Sequence, residues 1–143
     1  MNIQAILDDK GSDVQVVRPD ADATVATNLM VTYRIAALVV TDHGRVVGLL
    51  GERELVEAMA SSGGTIIGLK VRDVMRPHPE TCSPADAIDE VMGTMTRRRR
   101  RHLPVVDASG LCGIVSIGDM VKFRLNQVEL ESRVLRDAYL SRH

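Results

Sequence analysis

The chain repeats itself. Residues 37 to 56 read A-L-V-V-T-D-H-G-R-V-V-G-L-L-G-E-R-E-L-V, and residues 102 to 121 read H-L-P-V-V-D-A-S-G-L-C-G-I-V-S-I-G-D-M-V. At an offset of 65, Asp42 falls on Asp107, Gly48 on Gly113 and Glu54 on Asp119. Upstream, R-P-D-A-D-A-T-V at 18 to 25 parallels S-P-A-D-A-I at 83 to 88 with a two-residue difference in length. Each copy then reads strand, proline turn, helix, two short strands, helix, so the 143-residue chain is a tandem duplication. A unit of roughly 55 residues buries too little apolar surface to be stable alone. The two copies are therefore expected to share one core, as an α/β module of two pseudo-symmetric β-α-β-β-α repeats packed sheet to sheet. Clefts are expected where the copies meet.

Local signals support that order. Val14, Val16 and Val17 before Arg18-Pro19 predict a short strand ending at a proline, whose predecessor prefers extended angles. From Asp22 onward, Val25, Leu29 and Met30 recur at helical spacing. In the second copy Ser83 is placed to cap a helix with Pro84 at its first position, and Ile88, Val91, Met92 and Met95 supply the buried stripe. Leu38 to Thr41 and Val46 to Leu50 read as strands around an Asp-His-Gly turn, repeated by Val105-Val106 and Leu111 to Val115 around Asp-Ala-Ser-Gly. Helices follow at Glu52 to Ala60 and from Gly118, with Ser61-Ser62-Gly63-Gly64 as the linker. The boundaries become 1–62 for the N-terminal segment and first repeat, 63–125 for linker and second repeat, and 126–143 for a helical extension.

Composition narrows the function classes. With 18 basic against 19 acidic side chains, the net charge of −1 argues against bulk electrostatic binding to nucleic acid. Tyr33, Phe123 and Tyr139 are the whole aromatic complement, too few for a base-stacking platform. No apolar run approaches the ~20 residues that cross a bilayer, so no membrane role is expected. Cys82 and Cys112 are too few for a disulfide framework, which suggests a cytoplasmic protein. No P-loop, Gly-x-Ser-x-Gly or Gly-x-Gly-x-x-Gly signature occurs, so enzymatic activity is not expected. The scattered His43, His78, His102 and His143 lack ligand spacing, and no metal site is expected.

The stretches V-R-D-V-M (71 to 75), R-H-L-P-V-V-D (101 to 107) and G-I-V-S-I-G-D-M (113 to 120) resemble the tandem CBS (cystathionine β-synthase-type) domain pair, as found in stand-alone bacterial proteins. The resemblance covers about residues 10 to 125, and G-L-L-G-E-R-E-L (48 to 55) is similar to the family's G-I-x-S-E-R-D-h variant. It implies a non-catalytic regulatory module that binds an adenosine ligand such as AMP, ATP or NAD(H) between the repeats, without a catalytic cofactor, and that pairs into a homodimer. The regulated effector protein is not identifiable from the chain.

What the resemblance implies can be followed residue by residue. Asp119 would accept both hydroxyls of a ribose cis-diol, with the Ser116 hydroxyl beside it. Val71 and Met75 would wall the adenine, and backbone around Thr81, Cys82, Leu103 and Pro104 would read its edge. Arg53, Arg101 and His102 would reach the phosphates. Ser116 and Asp119 are equally the residue types of an ordinary helix N-terminus, and that reading stays open. In the first copy, Gly51 stands where a hydroxyl is expected and Glu54 replaces the aspartate. The site of Gly51, Glu54 and Ala37 is therefore expected to be the weaker, and that of Ser116 and Asp119 the dominant one.

Two features stand outside the repeat. Arg97 to Arg101 has no counterpart in Val31 to Ile35, which carries Arg34 alone. It reads as a solvated helix end favoured by the macrodipole, as a phosphate or partner contact, or as a nucleic-acid patch. In the last helix Val121, Leu125, Val128, Ser132, Leu135 and Tyr139 form a seven-residue pattern. It fits dimerisation through this helix, or docking onto Ile3, Ile6 and Leu7 of its own N-terminus. The alternatives to a nucleotide sensor are a structural dimerisation module with decayed sites and a nucleic-acid-associated regulator using Arg97 to Arg101.

Overall fold

A computed structural model describes residues 1–142; His143 lies outside them. The order is α1 (Ile3–Lys10), β1 (Val16–Val17), α2 (Ala23–Tyr33), β2 (Ala37–Asp42), β3 (Arg45–Gly51), α3 (Glu52–Ser61), α4 (Val71–Val74), β4 (Arg76–Pro77), α5 (Ile88–Arg98), β5 (His102–Asp107), β6 (Gly110–Ser116) and α6 (Ile117–Ser141). The duplication holds to the residue. β2 and β5, β3 and β6, and α2 and α5 begin and end 65 residues apart. So do the irregularities between Val40 and Thr41 and between Val105 and Val106. The expected two-residue difference near the prolines is absent, because Pro19 matches Pro84 and the helices start in step at Ala23 and Ile88.

One sheet has the order β1-β2-β3-β4 and the other holds the β5–β6 hairpin. The parallel pairing of Val17 with Val40 recurs as an isolated bridge of Cys82 with Val105. Strand alternation divides β2 and β3 between two packing partners. Leu38, Val40 and Leu50 face their own helices, while Ala37, Val39 and Leu49 meet Leu111 and Ile114 across the sheet interface. Sheet-to-sheet packing is thus what joins the copies.

Two helix readings need correction. Ser83 and Pro84 open a turn, in which the Asp86 carboxylate accepts from the Ser83 amide at 2.8 Å, and α5 begins later with Ala87 at its N-cap. The buried stripe of α2 is Ala23, Ala26 and Met30, while Val25 points outward. In α5 the stripe of Ile88, Val91 and Met95 is buried, with Met92 at its edge.

The short leading helices are exchanged between repeats. α1 precedes the first repeat, yet Ile3, Ile6 and Leu7 lie in one core with Ile88, Met95, Leu103, Val105 and Met120 of the second. α4 precedes the second repeat, yet Val71 and Val74 pack with Val17, Ala26, Leu38 and Leu55 of the first. Matching bridges, Asn2 with Ala87 and Asp22 with Lys70, hold each in place. Glycine makes room for the exchange at equivalent positions. A Cβ on Gly113 would lie 2.7 Å from Leu7 Cδ2, and one on Gly48 would lie 2.3 Å from Met75 Sδ.

Candidate functional site between the repeats

The chain enters β2 and β5 through left-handed residues, Arg34 (φ 53°) and Arg99 (φ 54°), each donating its amide back to the last turn of the preceding helix. The next residues tie the strand starts to the helices beyond: the Glu52 amide donates to Ala36 O at 3.3 Å, and the Ile117 amide to Arg101 O at 2.9 Å. These turns place the start of β5 against the end of β3. A cavity of about 570 Å³ opens there, floored by Ala36, Leu49 and Gly51 and walled by Glu54 and Arg76. Arg53, Arg99, Arg101 and His102 line it together with Glu52, Val56 and Glu57. Its volume falls within the range of small-molecule sites.

Arg76 is the group of most consequence in this cavity. Its side chain is 20% exposed and its Nη1 donates to Glu54 Oε1 at a long 3.5 Å. Nη2 lies 4.0 Å from Glu80 Oε2, whose nearer partner is Arg100 Nε at 3.1 Å. Nε and Nη2 of Arg76 are buried without a hydrogen-bond acceptor. Burial first, and then the neighbouring Arg100, lower its pKa from the usual value. Burial alone would raise Glu80, but its backbone hydrogen bond, Arg100 and Arg76 bring it below the usual carboxylate range. A buried donor without an acceptor costs about 1–3 kcal/mol. With Arg53, Arg76, Arg99 and Arg101 in its lining, the cavity favours an anion that brings oxygen acceptors.

The equivalent carboxylate of the second repeat is already engaged. Lys10 Nζ, from the last turn of α1, donates to Asp119 Oδ2 at 2.8 Å and to Ile114 O at 2.9 Å. Asp119 Oδ2 also accepts from the Ser116 amide at 2.9 Å, and Ser116 Oγ accepts from the Asp119 amide at 3.0 Å. Ser116 and Asp119 thus form a capping box on α6. Burial pushes the Asp119 carboxyl up, but Lys10 and the Ser116 amide outweigh it and hold the carboxyl below its ordinary range. His102 feels both sites. Burial lowers its pKa, Lys10 and Arg101 act in the same direction, and Asp119 and Glu52 oppose them.

Of the residues singled out in sequence, Gly51, Arg53, Glu54, Arg101 and His102 share one cavity. Ala37 lies behind its floor in the inter-sheet cluster. The open cavity therefore lies on the Gly51–Glu54 side, where the weaker site was expected. Val71 and Met75 are placed elsewhere than beside Asp119: both belong to the first repeat's core, Val71 fully buried, because α4 is exchanged. Cys82 and Leu103 are buried in the second repeat's core, Pro104 is buried on β5, and Thr81 is exposed. Burial, with Asp86 and Cys112 adding to it, pushes the Cys82 thiol up to about 12, so it packs as an apolar group. The arginine run divides: Arg99 and Arg101 face the cavity, Arg100 pairs with Glu80, and Arg97 and Arg98 end α5. Sequence reasoning missed Arg76 and Lys10. The signal was the duplication itself, since the segment leading into each repeat delivers a cation to the carboxylate of the other, Lys10 at the end of α1 to Asp119 and Arg76 of β4, just after α4, to Glu54. Among the described residues no His, Cys, Asp and Glu cluster could hold a metal ion, and no helix is long and apolar enough to cross a membrane.

The family model for the CBS domain matches twice, at residues 9–61 and 71–126. The chain belongs to the CBS-domain family, as a tandem pair. The crystal structure of a CBS-domain containing protein from Agrobacterium tumefaciens superposes with a TM-score of 0.82 at 38% identity, covering 87% of this chain and 99% of that one. An uncharacterized 33.4 kDa protein of Thermofilum pendens is 35% identical over 78% of this chain. The chain spans 36% of that relative's length, and 50% and 21% of two further curated relatives. A more distant structure, CBSX2 in complex with AMP, shares the fold at a TM-score of 0.69 and 24% identity, covering 80% of this chain and 90% of that one.

Proposed function

We propose that the chain is a non-catalytic regulatory module whose inter-repeat cavity binds an adenosine nucleotide through its phosphates. The observation that carries this reading is the basic lining of the cavity, where Arg53, Arg99, Arg101 and His102 join Arg76, whose own contact to Glu54 is a long 3.5 Å. Arg76, Arg53, Arg99 and Arg101 would meet the phosphates, with His102 at the rim. Glu54 would accept from the ribose hydroxyls once its long contact to Arg76 is shared with a ligand. The apolar floor of Ala36 and Leu49 suits an adenine. AMP, ATP and NAD(H) all present this chemistry, and the AMP complex of CBSX2 is consistent with it. Because the cavity is built from both repeats, a ligand there biases their relative angle by its affinity difference between arrangements. The Asp119 side would take a second ligand only after Lys10 is displaced.

That Lys10 contact also favours a second reading, a structural pairing module whose Asp119 site has closed. A thermal-shift panel of AMP, ADP, ATP, NAD⁺, NADH and S-adenosylmethionine separates the two. A ligand at ~100 times its dissociation constant adds about 2.7 kcal/mol, which is several degrees in a domain of this size. The nucleotide reading expects a shift for at least one ligand, reduced in Arg99→Ala/Arg101→Ala and retained in Asp119→Ala. A flat panel overturns it in favour of the structural module.

A further inference from the structure

Among the described residues that line the inter-repeat cavity, His102 is the one whose charge can change near neutral pH. β5 sets it opposite Ser116, as β2 sets Ala37 opposite Gly51. The imidazole therefore stands where the first repeat has a methyl group buried between the sheets. Its ring makes no hydrogen bond or ion pair with the described residues, and neither ring nitrogen is sealed from solvent. A half-buried ring with both nitrogens free is available to a ligand.

The charges around the ring come from both repeats. Arg101 precedes it on β5, and Asp119 of α6 and Lys10 of α1 lie on the side of the capping box. On the cavity side α3 presents Glu52, Arg53, Glu54 and Glu57, β4 presents Arg76, and the turn before β5 presents Arg99. Most of these are engaged with one another: Lys10 with Asp119 at 2.8 Å, Arg53 with Glu57 at 3.0 Å and Arg76 with Glu54 at 3.5 Å. Arg99 and Arg101 keep no acidic partner among the described residues, and Glu52 is the carboxylate left over. Burial first, with Lys10 and Arg101, outweighs Asp119 and Glu52 and lowers the ring's pKa from its usual value. Without a ligand the ring is therefore neutral above pH 7.

A phosphate reverses that balance. A monoester carries about −1.5 to −2 charges at pH 7, and its oxygens accept the stronger, charge-assisted hydrogen bond that an imidazolium donates. We propose that His102 takes up a proton when a phosphate enters the cavity, so that nucleotide affinity rises as the pH falls from 8 to 6.5. This rests on the nucleotide reading of the cavity and gives that site its regulation. The sign follows from reciprocity: a ligand that tightens proton binding is itself bound more tightly where protons are abundant, by at most about tenfold per pH unit for one proton. Below about pH 6 the phosphate itself gains a proton and the rise ends.

The test is isothermal titration calorimetry of the full chain with AMP and with NAD⁺ at pH 7.5, in two buffers of different ionisation enthalpy. NAD⁺ has no phosphate that titrates in this range, so its protons come from the protein. Wild type should take up a fraction of one proton per ligand, and should bind about three- to tenfold more tightly at pH 6.5 than at pH 8. His102→Gln should lose both the uptake and the rise, while melting like wild type at pH 8. His102→Arg, permanently charged, should bind at pH 8 at least as tightly as wild type and show no rise, which a merely structural role for the ring would not give. Binding without proton uptake, or uptake that persists in His102→Gln, overturns this inference and leaves the nucleotide reading standing. A chain that binds neither AMP nor NAD⁺ at pH 6.5 overturns both.

Discussion

Two glycines and one lysine carry unusual weight at the scale of single residues. Gly113 lies under Leu7, itself 4% exposed and branched, so an added methyl has no flexible neighbour to displace. Gly113→Ala should cost about 1–3 kcal/mol, the range for overpacking, read as a lower urea midpoint with unchanged slope. The identity of Gly48 and Gly113 was legible in the sequence, but its cause was not, because the side chains they admit come from helices assigned to the opposite repeat. Lys10 offers a test by pH. Its contact holds the folded Asp119 carboxyl below the unfolded value of ~3.9. A lowered carboxyl contributes stability above its unfolded pKa and loses it as pH falls through the folded one. Wild type should exceed Lys10→Met by up to ~1 kcal/mol at pH 7, and the gap should close between about pH 5 and pH 2. Equal melting profiles of the two proteins across that window would remove Lys10 as the partner that matters.

Among the elements, the strands and their order were legible because β2, β3, β5 and β6 are apolar runs bounded by turn residues. Helix starts were less so. Asp22 and Ala87 occupy the N-caps of α2 and α5 without a side-chain hydrogen bond, so the usual capping signal is missing and Ser83-Pro84 imitates it. The helix ends show a local cost that points to the cavity. Arg34 and Arg99 both adopt the left-handed conformation that glycine takes without penalty. Arg34→Gly should stabilise the protein by about 1 kcal/mol, since L-residues are disfavoured there by roughly that amount. Arg99→Gly should bring a similar gain while lowering nucleotide affinity, because Arg99 lines the cavity and Arg34 lies outside it. Calorimetric melting of both variants, with nucleotide titration of each, separates the two roles. Loss of affinity in Arg34→Gly alone would place the phosphate arm on the wrong turn.

For the whole molecule, the exchange of α1 and α4 makes the duplication inseparable. The sequence shows two copies, and cutting between them at residue 62 looks natural. Yet such a cut would leave Ile3, Ile6 and Leu7 without the core they complete, and would take Val71 and Val74 from the first repeat. Periodicity along the chain does not report which copy a connecting helix joins, so it could not show that Val71 and Met75 pack in the first repeat while Asp119 opens α6 of the second. Ile3, Ile6 and Leu7 are at most 4% exposed, and burying three such side chains stabilises the fold by roughly 4.5–9 kcal/mol at about 1.5–3 kcal/mol each. That is comparable to the ~5–15 kcal/mol that holds a domain together. Deleting residues 1–10 should therefore abolish the cooperative melt of both repeats, even though the family's first repeat begins at residue 9. Deleting residues 126–143 removes helix that projects beyond the core, and should leave the midpoint of the body within a few degrees of the full chain. Thermal melts followed by far-ultraviolet circular dichroism compare the three proteins directly. A chain lacking residues 1–10 that still unfolds in one sharp transition would show that the repeats do not depend on the exchanged helix.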